Sequence, residues 1–113
     1  MNHRMVRTGC FVLALITLIF AVTASAQGQD AAALYKSKCS VCHSDDGSGS
    51  GATGKQLGAK DLKSDDVQKQ TDAQLNDSIS NGVGKKMPAY KGKLTDAQIK
   101  DLVGYIRQLA AKK

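Results

Sequence analysis

Cys39-Ser40-Val41-Cys42-His43 is the stretch on which this chain turns. Two cysteines three positions apart lie one helical turn apart, so both sulfurs reach the same side of a flat partner. A histidine follows the second cysteine directly. C-x-x-C-H is the spacing used to attach a c-type haem, with thioethers from both sulfurs and the imidazole placed to reach the iron. Two other readings compete. A structural zinc needs four ligands, and beyond the motif residues 27–113 offer only aspartates as further donors of that kind, since His3 lies upstream. Thiol redox chemistry of the thioredoxin type expects a βαβ pattern around the motif, and none is visible.

The first 26 residues differ from the rest. Arg4 and Arg7 give a positive start, Phe11 to Val22 run apolar apart from Thr17, and Ala24-Ser25-Ala26 supplies small residues before Gln27. That order predicts a secretory signal peptide over 1–26 and a single domain over 27–113. The competing reading is an uncleaved anchor, for which the apolar run is short of the roughly 18 residues a span needs. Cys10 precedes the apolar run, which argues against a lipoprotein signal. The remaining 87 residues make a small core, and a covalently held haem would serve as its centre.

Fourteen of the sixteen Lys and Arg fall in 27–113, against ten acidic residues, all Asp. This mild excess, with no long basic run and no Trp, is too weak to indicate nucleic acid.

The helical signals are clear. Asp30 is a candidate N-cap for a helix from Ala31 toward Cys39, after a polar lead-in over 27–30. Thr71-Asp72-Ala73-Gln74-Leu75 and Thr95-Asp96-Ala97-Gln98-Ile99 each carry Thr followed three positions later by Gln, a capping box. The first helix should place Leu75 and Ile79 on one face and stop at Asn81-Gly82. The second carries Ile99, Leu102, Val103 and Ile106 on one stripe, extended by Leu109 or Ala110. Ser44–Gly58 is rich in Gly, Ser and Asp and reads as a loop with room for short helical turns. No segment alternates long enough for a sheet, so the fold class is all-α.

Within 27–113, Met87 is the single methionine, in Lys85-Lys86-Met87-Pro88-Ala89-Tyr90. A methionine in a loop is often plain packing. Here no second histidine is present to share an iron, and a thioether is a recognised partner of histidine on haem. Pro88 stiffens the loop. Met87 is therefore the expected second axial ligand. Lys85, Lys86, Lys91 and Lys93 flank it, either as a solvated loop or as a positive rim that steers an acidic partner. Gly49-Ser50-Gly51-Ala52-Thr53-Gly54 fits G-x-G-x-x-G, but no strand precedes it and Gln56 stands where a P-loop needs Ser or Thr. It reads as a flexible loop. Asp45 and Asp46 are adjacent and do not converge on one substrate, and no nucleophile–base constellation is visible.

Taken in order, these residues resemble the small class I monohaem cytochromes c. The likeness rests on Cys39–His43, Asp46-Gly47-Ser48-Gly49, Ser80-Asn81-Gly82, Met87-Pro88-Ala89-Tyr90, Lys93-Leu94-Thr95 and Tyr105-Ile106, and covers nearly all of 27–113. It implies three to five short helices around one covalent haem c, with the N- and C-terminal helices crossing. Ala31 and Tyr35 would meet Leu102 and Tyr105 at that crossing, with Ala31 standing where the family usually has Gly. Tyr90 looks like the aromatic that packs near the haem. Many relatives have a proline after the histidine whose carbonyl receives the ring N–H; here Gly54-Lys55-Gln56-Leu57 holds none, so the acceptor is unassigned. Leu57, Leu62, Leu75, Ile79, Leu94 and Ile99 are expected to line the pocket.

The expectation is a soluble carrier of one electron, not an enzyme, with Cys39 and Cys42 anchoring the haem and His43 and Met87 holding the iron. Its partners would be larger redox proteins, as donor and acceptor. It would be an exported monomer of a periplasm or thylakoid lumen, with no stable membrane insertion once the leader is cleaved. The alternatives are an open-site haem enzyme or gas sensor, and a cytochrome subunit of a larger oxidoreductase.

Overall fold

A computed structural model describes residues 26–112. The leader expected over 1–26 lies, but for its last residue, outside the described residues. Among the described residues six helical segments follow in order: α1 (Ala26–Lys38), α2 (Ser40–His43), α3 (Ala52–Leu57), α4 (Asp65–Gln68), α5 (Asp72–Asn81) and α6 (Asp96–Ala111). No strand occurs among the described residues, where isolated bridges pair Val83 with Met87 and Lys91 with Leu94. Nor is any described helix long and apolar enough to cross a membrane.

Among the described residues the fold is all-α as expected: with the single turns α2 and α4 set apart, four longer helices remain. Helix α1 begins at Ala26, before the start expected at Ala31 with Asp30 as its cap. Alanine and glutamine both favour helix, and the one Gly28, at a cost of about 1 kcal/mol, does not stop it. Helix α3 falls inside the stretch read as loop.

Both capping boxes are complete. Thr71 Oγ1 accepts from Gln74 N at 3.1 Å, and Gln74 Oε1 accepts from Thr71 N at 2.8 Å. Thr95 and Gln98 repeat this at 3.1 and 2.9 Å. Each box satisfies two otherwise orphaned donors, so both helices start where the sequence says. Helix α5 ends at Gly82, whose φ of 75° favours glycine.

The core is one cluster. Helix α6 supplies its longest stripe, with Ile99, Leu102, Val103, Ile106 and Leu109 all buried. It packs on α1 and on α5. On α1, Ala31 and Tyr35 are buried, and the Tyr35 ring meets Tyr105 of α6 with centroids 5.0 Å apart and planes inclined by 47°. This tilted pair adds to the area term. The terminal helices thus hold each other and leave α2, α3, α4, α5 and the 83–94 loop to wrap a space beside them.

Candidate haem-binding site

The cysteine motif is a continuation of α1. Cys39 N donates to Tyr35 O at 2.8 Å, His43 N to Cys39 O at 2.9 Å and Ser44 N to Ser40 O at 2.8 Å. The chain therefore keeps helical pitch through Cys39, Cys42 and His43. It leaves the helix at Ser44, whose φ of 64° is uncommon for a residue with a side chain. Three bonds hold that turn: Tyr35 Oη donates to Ser44 O at 2.8 Å, Gly51 N donates to Ser44 Oγ at 3.1 Å, and Gly49 N donates to His43 O at 2.8 Å. Burial pushes the Tyr35 hydroxyl far above its usual pKa, so it stays a donor at any physiological pH.

The stretch read as a flexible loop is packed. Gly49 and Gly54 are buried. A Cβ on Gly54 would collide with the carbonyl oxygens of Cys42 and Gly49, and one on Gly49 would lie 2.8 Å from the Ala59 carbonyl oxygen. These glycines exist for close backbone approach, not for phosphate.

His43 Nδ1 lies 3.1 Å from the carbonyl oxygen of Lys60. A carbonyl only accepts, so the nitrogen facing it carries the proton, and Nε2 is left with its lone pair. The acceptor that the sequence left open is therefore Lys60, in the segment between α3 and α4.

Cys39 and Cys42 are half-buried free thiols. Burial first, and then the neighbouring Cys42, push the Cys39 thiol up to about 11. A thiol held protonated is a poor nucleophile, which disfavours thiol–disulfide exchange. Among the described residues no group of three or more His, Cys, Asp or Glu side chains is arranged to hold a metal ion.

A cleft of about 560 Å³ opens beside the motif. Cys39, Cys42 and His43 form one part of its wall, and Met87, Pro88 and Tyr90 another. Its floor is apolar, from Leu62, Val67, Leu75, Ile79, Leu102 and Ile106. The four residues singled out from sequence thus share one cavity. Lys85 and Lys86 line it, whereas Lys91 and Lys93 do not; all four are exposed. Leu57, Leu62, Leu75 and Ile79 line it as expected. Leu94 and Ile99 do not: Ile99 is 1% exposed within the helix core, and α6 reaches the cleft further along, through Leu102 and Ile106. The sequence reading missed Val67, a lone apolar residue in the polar run Ser64–Gln70, which carries no periodic signal.

The 83–90 segment is held by its backbone. Val83 N donates to Met87 O at 3.1 Å, Met87 N to Val83 O at 3.3 Å and Tyr90 N to Ile79 O at 3.0 Å. Tyr90 Oη donates to Lys38 O at 3.0 Å, which ties this segment to the residue before Cys39. An apolar cleft with two thiols one turn apart, an imidazole of fixed tautomer and a thioether is a donor set that fits a covalently held haem.

Comparison with known proteins agrees with the geometry. Residues 26–106 match the family described as cytochrome C oxidase, cbb3-type, subunit III. The chain belongs to this cytochrome c family. It is 34% identical over 92 residues to the cbb3-type cytochrome c oxidase subunit CcoP of Azospirillum brasilense, covering 80% of this chain and 31% of that subunit. The chain therefore spans about a third of the length of that relative. It is 35% identical to cytochrome c6 of Leptolyngbya boryana, covering 74% of this chain and 96% of that protein. The solved KustC0563 c-type cytochrome superposes with a TM-score of 0.66 at 32% identity, covering 71% of this chain and 96% of that one. The protein is a small monohaem cytochrome c with the class I fold. As a member of that family it carries haem c.

Proposed function

We propose that this cytochrome is a mobile one-electron carrier in which Cys39 and Cys42 would bind the haem through thioethers and His43 and Met87 would supply the nitrogen and sulfur ligands to its iron. The observation that carries this reading is the gathering of those four side chains on a single apolar cleft. Haem supplies the Fe(III)/Fe(II) couple. The chain does the rest. The Lys60 carbonyl fixes the His43 ring and raises its basicity. The bonded 83–90 segment would hold the Met87 thioether in place toward the haem, so that little would have to move on electron transfer. The apolar floor excludes water and favours the less charged ferrous state.

Residues 1–26 are proposed as a cleaved signal peptide, which delivers a monomeric 27–113 domain to a periplasm or lumen. Partners are larger redox proteins, met at the cleft mouth where Lys85 and Lys86 are exposed, with Lys91 and Lys93 nearby in sequence. Charge reversal there (Lys85→Glu with Lys86→Glu) is expected to slow reaction with an acidic partner about tenfold at low ionic strength. The difference should fade at high salt, where exposed charges are screened. A rate insensitive to both changes removes the steering role.

A second reading has its own support, because the matched family is an oxidase subunit. In it the domain is fixed to a larger complex. Intact mass and cell fractionation separate the two. The carrier reading expects a soluble product of mass equal to residues 27–113 plus one haem, with one reversible redox transition in the visible spectrum. A product retaining 1–26 and sedimenting with membranes favours the subunit, and a product without added haem mass overturns both.

A further inference from the structure

The Lys60 carbonyl that receives the His43 ring proton sits in an unpromising place. Lys60 is exposed, no proline stiffens 58–64, and Gly58 has a φ of 70°. A segment of this kind gains rigidity only from bonds to its surroundings. On its inner side Ala59 N donates to Gly54 O and Leu62 N donates to Gly47 O, both at 2.8 Å. On its outer side stands a side chain. Gln68, at the end of α4, donates through Nε2 to the Leu62 carbonyl at 2.7 Å, two residues beyond Lys60, and more weakly to the Ile106 carbonyl at 3.4 Å.

The Gln68 amide is itself oriented. Arg107 of α6 donates through Nη1 to Gln68 Oε1 at 3.2 Å and to Gln68 O at 2.9 Å. A flipped amide would set its oxygen against two carbonyl oxygens and its NH2 against a guanidinium, so one orientation alone satisfies every partner. Arg107 also bonds Gln70 O and pairs with Asp72, whose side chain is 77% exposed. That surface pair is worth little. The bonds through Gln68 are partly buried and reach the segment beside the haem ligand.

We infer that Gln68, oriented by Arg107, is a positioning residue that locks the 60–62 backbone and thereby sets the hydrogen bond on which the His43 ring depends. It takes over the stiffening that a proline in this region would give. The inference rests on His43 being an axial ligand. Its consequence is electronic as well as mechanical. A looser Lys60 carbonyl makes the imidazole a poorer donor, which disfavours Fe(III) and raises the reduction potential.

The test uses the haem-loaded protein and reads three quantities: hydrogen exchange of the His43 Nδ1 proton by NMR in the reduced state, the reduction potential, and the unfolding midpoint. Gln68→Met keeps the length and loses all polar contacts. Gln68→Glu keeps an acceptor for Arg107 but loses the donor to Leu62. Both variants are expected to speed ring-proton exchange about tenfold, the opening expected from one lost bond of about 1.4 kcal/mol, and to raise the potential. Stability should fall more for Gln68→Met than for Gln68→Glu, which keeps Arg107 paired, while ring exchange speeds in both, which separates positioning from simple tethering. Asp72→Ala, which removes only the exposed arm of Arg107, should leave exchange and potential as in the wild type. Unchanged ring exchange and potential in both Gln68 variants, with wild-type His43 shown to be on iron, overturn the inference alone. A wild type in which His43 is not on iron overturns the functional reading first and this inference with it.

Discussion

Gly54→Ala is expected to destabilise the haem-loaded domain by about 3 kcal/mol or more, because added atoms must displace backbone instead of side chain. The new Cβ meets the carbonyl oxygens of Cys42 and Gly49. Neither can retreat cheaply. Cys42 belongs to the single turn that carries both sulfurs and the imidazole. Gly49 has a φ of 67°, donates to His43 O at 2.8 Å and already lies against the Ala59 carbonyl. Ala59 N in turn donates to Gly54 O at 2.8 Å. The clash therefore travels both ways, into the cysteine turn and into the segment that holds Lys60. For a domain of this size the loss corresponds to a fall in Tm on the order of 10–20 °C, with a matching drop in yield of haem-bearing protein. Gly104→Ala is the control. A Cβ there meets nothing within 4 Å, in an exposed position of α6. It should raise stability by about 0.5–1 kcal/mol through helix propensity. If Gly54→Ala unfolds at the wild-type midpoint, the close approach of α3 to the cysteine turn is wrong.

What could be read from the sequence was what is local or chemically rare. The capping boxes at Thr71 and Thr95 involve residues three apart, so their bonds follow from the letters alone. The α6 stripe follows from helical period and a run long enough to show it. Cys39, Cys42 and His43 lie within one five-residue stretch, and Met87 is the single methionine of 27–113, so neither needed geometry to be singled out. What escaped was whatever depends on backbone atoms or distant pairings. The Lys60 carbonyl has no side-chain signature, and the residue that carries it looks like any surface lysine. Gln68 and Arg107 lie 39 positions apart, and each alone reads as a polar surface residue. The glycines of 47–54 read as flexibility because composition does not distinguish a glycine needed for a turn from one needed for contact. Ile99, expected to line the pocket, carries the same apolar signal as the residues that do. In fact the helix turns it into the core, 1% exposed.

Met87→Ala is expected to leave the haem attached while changing its iron. The scaffold around residue 87 does not rest on the side chain. Val83 and Met87 exchange backbone bonds, Tyr90 N is fixed on Ile79 O, Lys91 N on Ser80 O, and Tyr90 Oη on Lys38 O. Gly82 seals the turn from behind, since a Cβ there would come within 2.6 Å of the Met87 carbonyl oxygen. Truncation therefore removes a thioether and opens a gap at a half-buried site. The packing loss is of order 1–2 kcal/mol, below the range for fully buried methionine. The electronic loss is larger in effect. A soft sulfur ligand favours Fe(II), and histidine/methionine ligation raises the potential. Its removal should lower the potential by on the order of 0.1–0.2 V, part of the roughly 0.8 V span that axial ligands govern. The vacated position should also admit carbon monoxide to the ferrous protein and imidazole to the ferric one, which the wild type should resist. Visible redox titration and ligand-binding spectra measure both. A variant with the wild-type potential that stays closed to added ligands places the Met87 sulfur off the iron, and the cleft would then need a different sixth ligand, which no second histidine in 27–113 can supply.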